Sequence, residues 1–226
     1  MKASLLLTKA TFVSYIPIND TNVAYYIPMR GCMQKKSDVK KDLIKTAAKQ
    51  LFSTKGYEGV TMKDVCEACQ ISRGGLYRYY DSPKEIMCEI LTDDKTEMES
   101  MLEHAIDENF PAIQLLDYFL DMIRSDIQSK ENRFSFVIHE FAFVEPTQSD
   151  YMEKRFESAI QILSLLLDYG KRTHEFKDFD TRIVATHITL FRDSIITSSA
   201  SLKYAESLVD EQLNYIKELV IHHAAK

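Results

Sequence analysis

The residues Thr61–Ile86, TMKDVCEACQISRGGLYRYYDSPKEI, decide which fold the sequence predicts. The pattern indicates a short helix, a tight turn, a second short helix and the capped start of a third helix. The second helix brings small, basic and phenolic side chains together within a few turns. Such side chains are suited to lie against a nucleic-acid backbone, so DNA is the leading candidate partner.

Local signals mark the helix ends in this stretch. Thr61 and Asp64 form a capping pattern that begins the first short helix, and Ser72 caps the second helix after a turn at Gln70-Ile71. The sequence Ser-Pro-Lys-Glu at residues 82–85 begins a further helix, with serine as N-cap, proline at the first helical position and glutamate at the third. This arrangement is typical of a helix-turn-helix.

An amphipathic helix is predicted just before this motif, and Gly56 stands where a left-handed glycine usually ends a helix. Its apolar positions are Val39, Leu43, Ile44, Ala47, Ala48, Leu51 and Phe52. The residues expected to pack the two short helices against Leu51 and Phe52 are Val65, Ala68, Ile71 and Leu76.

The remainder of the chain also shows helical periodicity and no strand signal. Only 6 glycines and 5 prolines occur in 226 residues, which argues against a turn-dense β fold. We expect helices near Pro83–Asp107, Pro111–Ser129, Arg133–Phe143, Ser149–Arg172, Thr181–Ser201 and Ala205–His223. The predicted fold class is therefore all-α.

Charge is distributed unevenly along the chain. The net charge is -6 overall, but residues 35–91 carry +3 and residues 92–226 carry -11, while the first 34 residues carry +2. A basic module followed by an acidic body suits a protein that places one end on polyphosphate. Because no apolar run approaches the roughly 20 residues that span a bilayer, we expect a cytoplasmic protein that does not enter the membrane.

The stretch from residue 47 to residue 87, AAKQLFSTKGYEGVTMKDVCEACQISRGGLYRYYDSPKEIM, resembles the DNA-binding domain of TetR/AcrR-family transcriptional regulators. The family pattern A-x-x-L-F-x-x-x-G-Y-x-x-x-T, followed by S-x-G-x-L-Y-x-[YH]-F and S-K-E-x-L, is matched nearly throughout. The resemblance implies an N-terminal three-helix helix-turn-helix domain at 35–82, joined to a helical effector-binding and dimerisation domain at 83–226.

Residue roles follow from the chemistry and from the resemblance. Hydroxyls suit phosphate contacts, arginines suit phosphates or a guanine edge, and the two glycines let the backbone approach DNA closely. The resemblance places Leu76 and Tyr80 in the core. The predicted DNA-contacting residues are Thr61, Ser72, Arg73, Gly74, Gly75, Tyr77, Arg78, Tyr79 and Lys84.

Two positions depart from the family pattern. Gln70 occupies the turn position usually held by glycine, which puts the turn geometry in question. Pro83 aligns with the usual lysine at the start of the fourth helix, so its phosphate contact must pass to Lys84 or be lost.

An aromatic segment at 133–143 has two interpretations of similar weight, a central core helix or the wall of an effector pocket. In the second interpretation polar groups lie among aromatic ones and bind a small molecule of unknown identity. The candidate pocket residues are Tyr118, Met122, Phe136, His139, Glu140, Phe156, His187 and Phe191.

Apolar stripes on the last two predicted helices fit either an ordinary core or a homodimer interface, and the resemblance favours the homodimer. The stripes comprise Ile183, Val184, His187, Ile188, Phe191, Ile195, Leu213, Ile216, Leu219 and Val220. The predicted function is a ligand-released homodimeric repressor that binds a palindromic double-stranded DNA operator. An activator of the same family, or a helical enzyme or small-molecule carrier, is the alternative.

No catalytic motif, cofactor or metal site is predicted. Cys66 and Cys69 share a helix face, but packing is favoured over metal or redox chemistry because no second ligand pair accompanies them. Residues 1–34 lack helical periodicity and form a predicted extension. Our preferred explanation of this extension is a start codon assigned too far upstream, with Met33 as the native first residue. The alternatives are an arm that contacts DNA or a partner, and a disordered tail.

Overall fold

The structure, a computed structural model, describes residues 36–128, 133–145, 147, 149–199 and 201–221. In this part of the chain nine helices are present: α1 Lys36–Lys55, α2 Met62–Cys69, α3 Arg73–Leu76, α4 Pro83–Asp107, α5 Ala112–Gln128, α6 Phe134–Val144, α7 Ser149–Arg172, α8 Thr181–Ser199 and α9 Glu206–Val220. The only β pairing in the described residues is a single bridge between Phe176 and Ile221. The all-α prediction is confirmed.

The residues up to Lys40 and the residues from Lys41 onward are separate units. Of the first unit, the structure describes only the N-terminal part of α1. The predicted extension lies outside the described residues. The second unit contains the rest of α1 and all the other helices.

The first of two cores, which we call the DNA-domain core, is built from α1 to α4 and α6. Its fully buried members include Ala48, Phe52, Val65 and Leu76. Three of the expected apolar positions do not join this core, since Val39 and Leu43 on α1 and Ala68 on α2 are exposed. Cys66 and Cys69 are buried in it, in agreement with the packing interpretation.

Helix α6 contributes the residues Phe134, Val137, Ile138 and Phe141 to the DNA-domain core. The Phe141 ring meets the Tyr57 ring edge-on, with 4.9 Å between the two centroids. On α1, the ammonium of Lys49 lies 4.8 Å from the centroid of Phe134. The aromatic segment is therefore a core helix of the DNA-binding module.

The second core, which we call the body core, unites the later part of α4 with α5, α7, α8 and α9. Two long-range contacts set its helix ends. The Glu175 carboxylate caps α5 by accepting hydrogen bonds from the backbone N–H groups of Ala112, at 2.9 Å, and Ile113, at 3.1 Å. The N–H of Lys177 binds the carbonyl oxygen of Val220 at 2.9 Å, which ends α9 before the predicted His223.

Candidate nucleic-acid interface

The start of α2 is held by a complete capping box. Asp64 N–H donates to Thr61 Oγ1 at 3.3 Å, and Thr61 N–H donates to Asp64 Oδ2 at 2.8 Å. Lys55 Nζ lies 2.5 Å from Asp64 Oδ1. The lysine and the threonine together hold the pKa of Asp64 well below its usual range. Thr61 is exposed, so the predicted phosphate-contacting residue is also the residue that begins α2.

The turn between α2 and α3 keeps its geometry without glycine. Gln70 adopts the left-handed conformation, with φ 54° and ψ 40°, and its N–H binds the carbonyl oxygens of Cys66 and Glu67. A side chain in this conformation costs about 1–2 kcal/mol relative to glycine. The departure at Gln70 therefore carries a stability cost and leaves the helix-turn-helix intact.

The two glycines of α3 have different environments. Ser72 caps α3 by accepting a hydrogen bond from Gly75 N–H at 3.1 Å, and a Cβ on Gly75 would lie only 3.2 Å from Ser72 Oγ. A Cβ on Gly74 would meet nothing within 4 Å. The cap thus leaves little room for a side chain at Gly75. The protein's own packing in the described residues does not explain it at Gly74.

The outward side of the motif presents cations and a phenol. Leu76 and Tyr80 are buried as predicted, whereas Arg73 and Arg78 are exposed and Tyr77 is 50% exposed. We call Thr61, Ser72, Arg73, Gly74, Tyr77 and Arg78 the recognition surface. Tyr79 lies beside it, partly buried against the DNA-domain core, with less freedom to contact a ligand.

Lys84 lies at the contact between α4 and the chain after α6. The start of α4 is as predicted, with Ser82 Oγ accepting from Glu85 N–H at 3.2 Å and proline at the first position. However, Lys84 Nζ lies 3.1 Å from Glu145 Oε2 and donates to Thr147 Oγ1 at 3.1 Å. Its ammonium is therefore already paired within the protein.

Glu145 also accepts a hydrogen bond from the Tyr57 hydroxyl at 2.9 Å. Lys84 first and then Tyr57 lower the pKa of Glu145. Glu140 on α6 accepts a hydrogen bond from the backbone N–H of Glu58 at 3.3 Å. Its neighbour Phe141 is the residue whose ring contacts Tyr57. We call Tyr57, Lys84, Glu140 and Glu145 the α6 junction, because they connect both ends of the DNA-binding module to α6.

The predicted pocket residues are spread over several environments. Glu140 belongs to the α6 junction, where it faces the turn after α1. His187 is exposed on α8. Tyr118, Met122 and Phe136 are partly buried, and Phe156 and Phe191 pack against the body core. Glu140, at the α6 junction, and the exposed His187 therefore have different surroundings from the other candidates, and a shared pocket stays a prediction.

His139 is partly buried and has charged neighbours that the sequence did not reveal. Burial lowers its pKa; Asp193 opposes this shift, whereas Arg192 and Arg155 lower the pKa further. A partly buried imidazole with two guanidinium groups among its electrostatic neighbours forms a cluster of ionisable side chains. Spacing along the sequence gives no sign of it, because the charged neighbours lie on α7 and α8.

The cysteines have the environment of packing residues. Cys66 and Cys69 are buried in the DNA-domain core, and burial raises the pKa of the Cys69 thiol. Within the described ranges there is no group of three or more His, Cys, Asp or Glu side chains placed to hold a metal ion. None of the described helices is long and apolar enough to cross a membrane.

The capped α2–turn–α3 unit with its exposed cations defines a helix-turn-helix DNA-binding protein that carries a helical body. Residues 44–90 match the sequence model of bacterial regulatory proteins of the tetR family. Residues 115–210 match that of the tetracyclin repressor-like C-terminal domain. Together the two models account for more than half of the chain, and it belongs to the TetR family of transcriptional regulators.

Individual relatives are distant. The chain is 29% identical over 147 residues to YfiR of Bacillus subtilis, an uncharacterized HTH-type transcriptional regulator, covering 64% of this chain and 71% of YfiR. It is 28% identical over 97 residues to the transcriptional regulator UidR of Escherichia coli, covering 43% of this chain and 47% of UidR. The structure of the reduced form of Escherichia coli NemR shares the fold, with a TM-score of 0.64 at 13% sequence identity. The match covers 83% of this chain and 100% of the NemR chain.

Proposed function

We propose that this regulator is a cytoplasmic homodimeric repressor that binds a palindromic operator and is released by a small molecule. The observation that carries the proposal is the recognition surface. The side chains of Arg73, Tyr77 and Arg78 have no hydrogen-bond or ion-pair partner among the described residues, and Gly74 adds no side chain between them. A surface with unpaired cations at a helix-turn-helix is suited to bind DNA.

Within the proposal the residues have two kinds of role. Arg73 contacts a base edge, since a guanidinium can bind guanine with two hydrogen bonds. The other predicted contacts fix the position of the module on phosphates through hydroxyl, ammonium, guanidinium and backbone groups. Lys84 can join them only by leaving Glu145 or by sharing its ammonium between the carboxylate and a phosphate.

A homodimer is supported by exposed apolar stripes on α8 and α9. Ile183 and Leu190 lie seven residues apart on α8, and Leu208, Tyr215 and Leu219 recur at helical spacing on α9; all five are exposed. Such apolar stripes on adjacent helices are typical of a protein interface. Two copies related by a two-fold axis would bury them in a four-helix contact and present two recognition surfaces to successive major grooves.

Release by a ligand is supported by the double role of α6. The helix contributes to the DNA-domain core, and it also contacts α8 of the body. A molecule bound beside α6 can therefore change the position of the DNA-binding module. The ligand needs to prefer the non-binding arrangement by only a few kcal/mol.

The proposal is tested with a gel shift on the DNA upstream of the protein's own gene. Specific binding should fall steeply with salt, because a protein that contacts many phosphates releases counterions. No binding at about 50 mM salt would overturn the proposal. Deletion of the gene in the host should raise expression from the bound promoter; a fall would identify an activator instead.

A further inference from the structure

Arg155 on α7 is a largely buried cation with no ion-pair partner among the described residues. Its Nη1 donates to the carbonyl oxygen of Leu91 at 3.4 Å, a long hydrogen bond. No carboxylate oxygen of the described residues lies within 4.0 Å of its guanidinium. Burial lowers the pKa of Arg155 and the nearby charge of Arg192 lowers it further, while the more distant charges of Tyr151, Asp94 and Asp193 oppose the shift. Such an arginine is costly to the free protein, since a buried charge normally has a hydrogen-bonded partner.

The charges around Arg155 are mostly committed to other partners. Arg192 on α8 lies 3.2 Å from Asp126 and 3.3 Å from Asp193. On α4, Asp94 pairs with Lys49 at 2.9 Å. Asp126 accepts a further hydrogen bond from the Ser135 hydroxyl at 2.9 Å. The neighbouring carboxylates are thus used by other cations, and the guanidinium of Arg155 retains unused donors.

His139 and Tyr151 complete the surroundings. Burial keeps the imidazole of His139 neutral near pH 7, so it can donate one hydrogen bond without adding charge. The Tyr151 hydroxyl donates to the carbonyl oxygen of Cys88 at 3.0 Å. The cluster joins α4, α6, α7 and α8, and α6 is the helix that also contributes to the DNA-domain core.

We propose that the effector of this regulator carries an oxyanion, a carboxylate or a phosphate, which binds Arg155 beside His139. This inference rests on the proposed ligand-released function and adds the chemical class of the ligand. Arg155 contributes charge-assisted hydrogen bonds, which are strong in a partly desolvated site. Arg192, held by Asp126 and Asp193, positions the cluster. Binding supplies the missing counterion and moves α6 relative to the free protein.

The first experiment measures the thermal stability of the free protein with Arg155→Met. Removal of an uncompensated buried cation should raise Tm by about 2–6 °C. The matched control is Arg182→Met, because Arg182 is an exposed arginine bonded to Glu157, at 2.8 Å and 3.0 Å, and its loss should change Tm by less than about 1 °C. A fall in Tm for Arg155→Met would show a structural role and overturn the proposal.

The second experiment uses benzoate, its neutral isostere benzamide, and inorganic phosphate as probes, at concentrations on the order of 10 mM, where fragments of this size bind. Benzoate or phosphate should raise the Tm of the wild-type protein, and Arg155→Met should abolish the rise. Arg155→Lys should retain part of it, and benzamide should have no effect. The anion that gives the larger shift distinguishes a carboxylate site from a phosphate site.

Two outcomes would overturn the anion site. One is a wild-type protein that responds to neither anion, and the other is an equal response from wild-type and Arg155→Met, which would show a general salt effect. Operator binding by the wild-type protein without any probe is measured in parallel. Its absence counts against the proposed repressor function, whereas the Tm responses report on the anion site alone.

Discussion

The residues proposed to touch DNA lie within one stretch of sequence, from Thr61 to Lys84, whereas the cluster around Arg155 draws its members from four helices. The two regions also treat charge differently. Arg73 and Arg78 are exposed to solvent in the free protein, and DNA would displace that water on binding. Arg155 is largely removed from water before any ligand arrives. A surface of the first kind is visible as a motif, and a site of the second kind exists only after the helices have packed.

This difference has an energetic meaning. An exposed cation keeps its hydration and costs the folded protein little. A desolvated cation without a partner destabilises the free protein. When an anion binds to it, the folded protein recovers much of that lost stability. We therefore expect changes in the recognition surface to alter DNA affinity with little effect on stability, and changes in the body to alter stability, assembly or ligand response.

The largest effect on operator binding is expected from Leu190→Glu. This substitution tests whether one recognition surface binds the operator without that of a second copy. Leu190 is 52% exposed on the α8 stripe, and a glutamate buried there in both copies should dissociate the dimer. Operator affinity should fall more than about 100-fold. Leu43→Glu is the control for oligomeric state, since Leu43 is 51% exposed but lies on α1. Light scattering coupled to gel filtration measures the oligomeric state of both variants. If Leu190→Glu is still a dimer, the proposed interface is wrong.

A smaller effect is expected within the recognition surface itself. Arg73→Ala should lower operator affinity about 10–100-fold and relax base preference, because a bidentate base contact is lost. Tyr77→Phe should weaken binding about 5–10-fold on any DNA sequence, because it removes one phosphate hydrogen bond. Gel shifts on the operator and on scrambled DNA measure both. Equal losses on the two DNAs for Arg73→Ala would count against base reading.

Substitutions at the two neighbouring glycines of α3 should affect protein stability and operator affinity differently. Gly75→Ala should be less stable than Gly74→Ala by up to about 1 kcal/mol, because its Cβ would crowd the Ser72 cap at 3.2 Å and offset the gain in helix propensity. Gly74→Ala should stabilise the protein by up to about 1 kcal/mol through helix propensity, while lowering operator affinity. Urea unfolding and gel shifts on both variants provide the measurements. Unchanged affinity for Gly74→Ala would mean that DNA does not approach this backbone closely.

The smallest effect is expected at the α6 junction on acidification. The pKa of Glu145 is lowered in the folded protein, so its stabilising contribution is complete above the usual value of 4.5 and is lost as pH falls through the folded value. Glu145→Gln should therefore melt below the wild-type protein at pH 7, and the gap should close toward about pH 3. Glu153→Gln, an exposed position on α7, is the control. A gap that does not change with pH would assign the effect to packing.

The local parts of the recognition surface could be predicted because they depend on neighbours in sequence. The capping box at Thr61, the serine caps at Ser72 and Ser82 and the buried Leu76 all form as expected. The partner of Lys84 could not be predicted in this way. Its ammonium meets Glu145 and Thr147, which lie about sixty residues further along the chain.

The sequence alone determined the all-α class, the helix-turn-helix and the family, because hydrophobic period, capping residues and turn residues act over a few positions. Only the tertiary structure decided that α6 belongs to the core of the DNA-binding module and that Glu140 contacts the turn after α1. It also decided that Arg155 has no ion-pair partner in the part of the chain that the structure describes. These features depend on which helices pack together and on how much water that packing excludes. Neither quantity can be read from spacing along one chain.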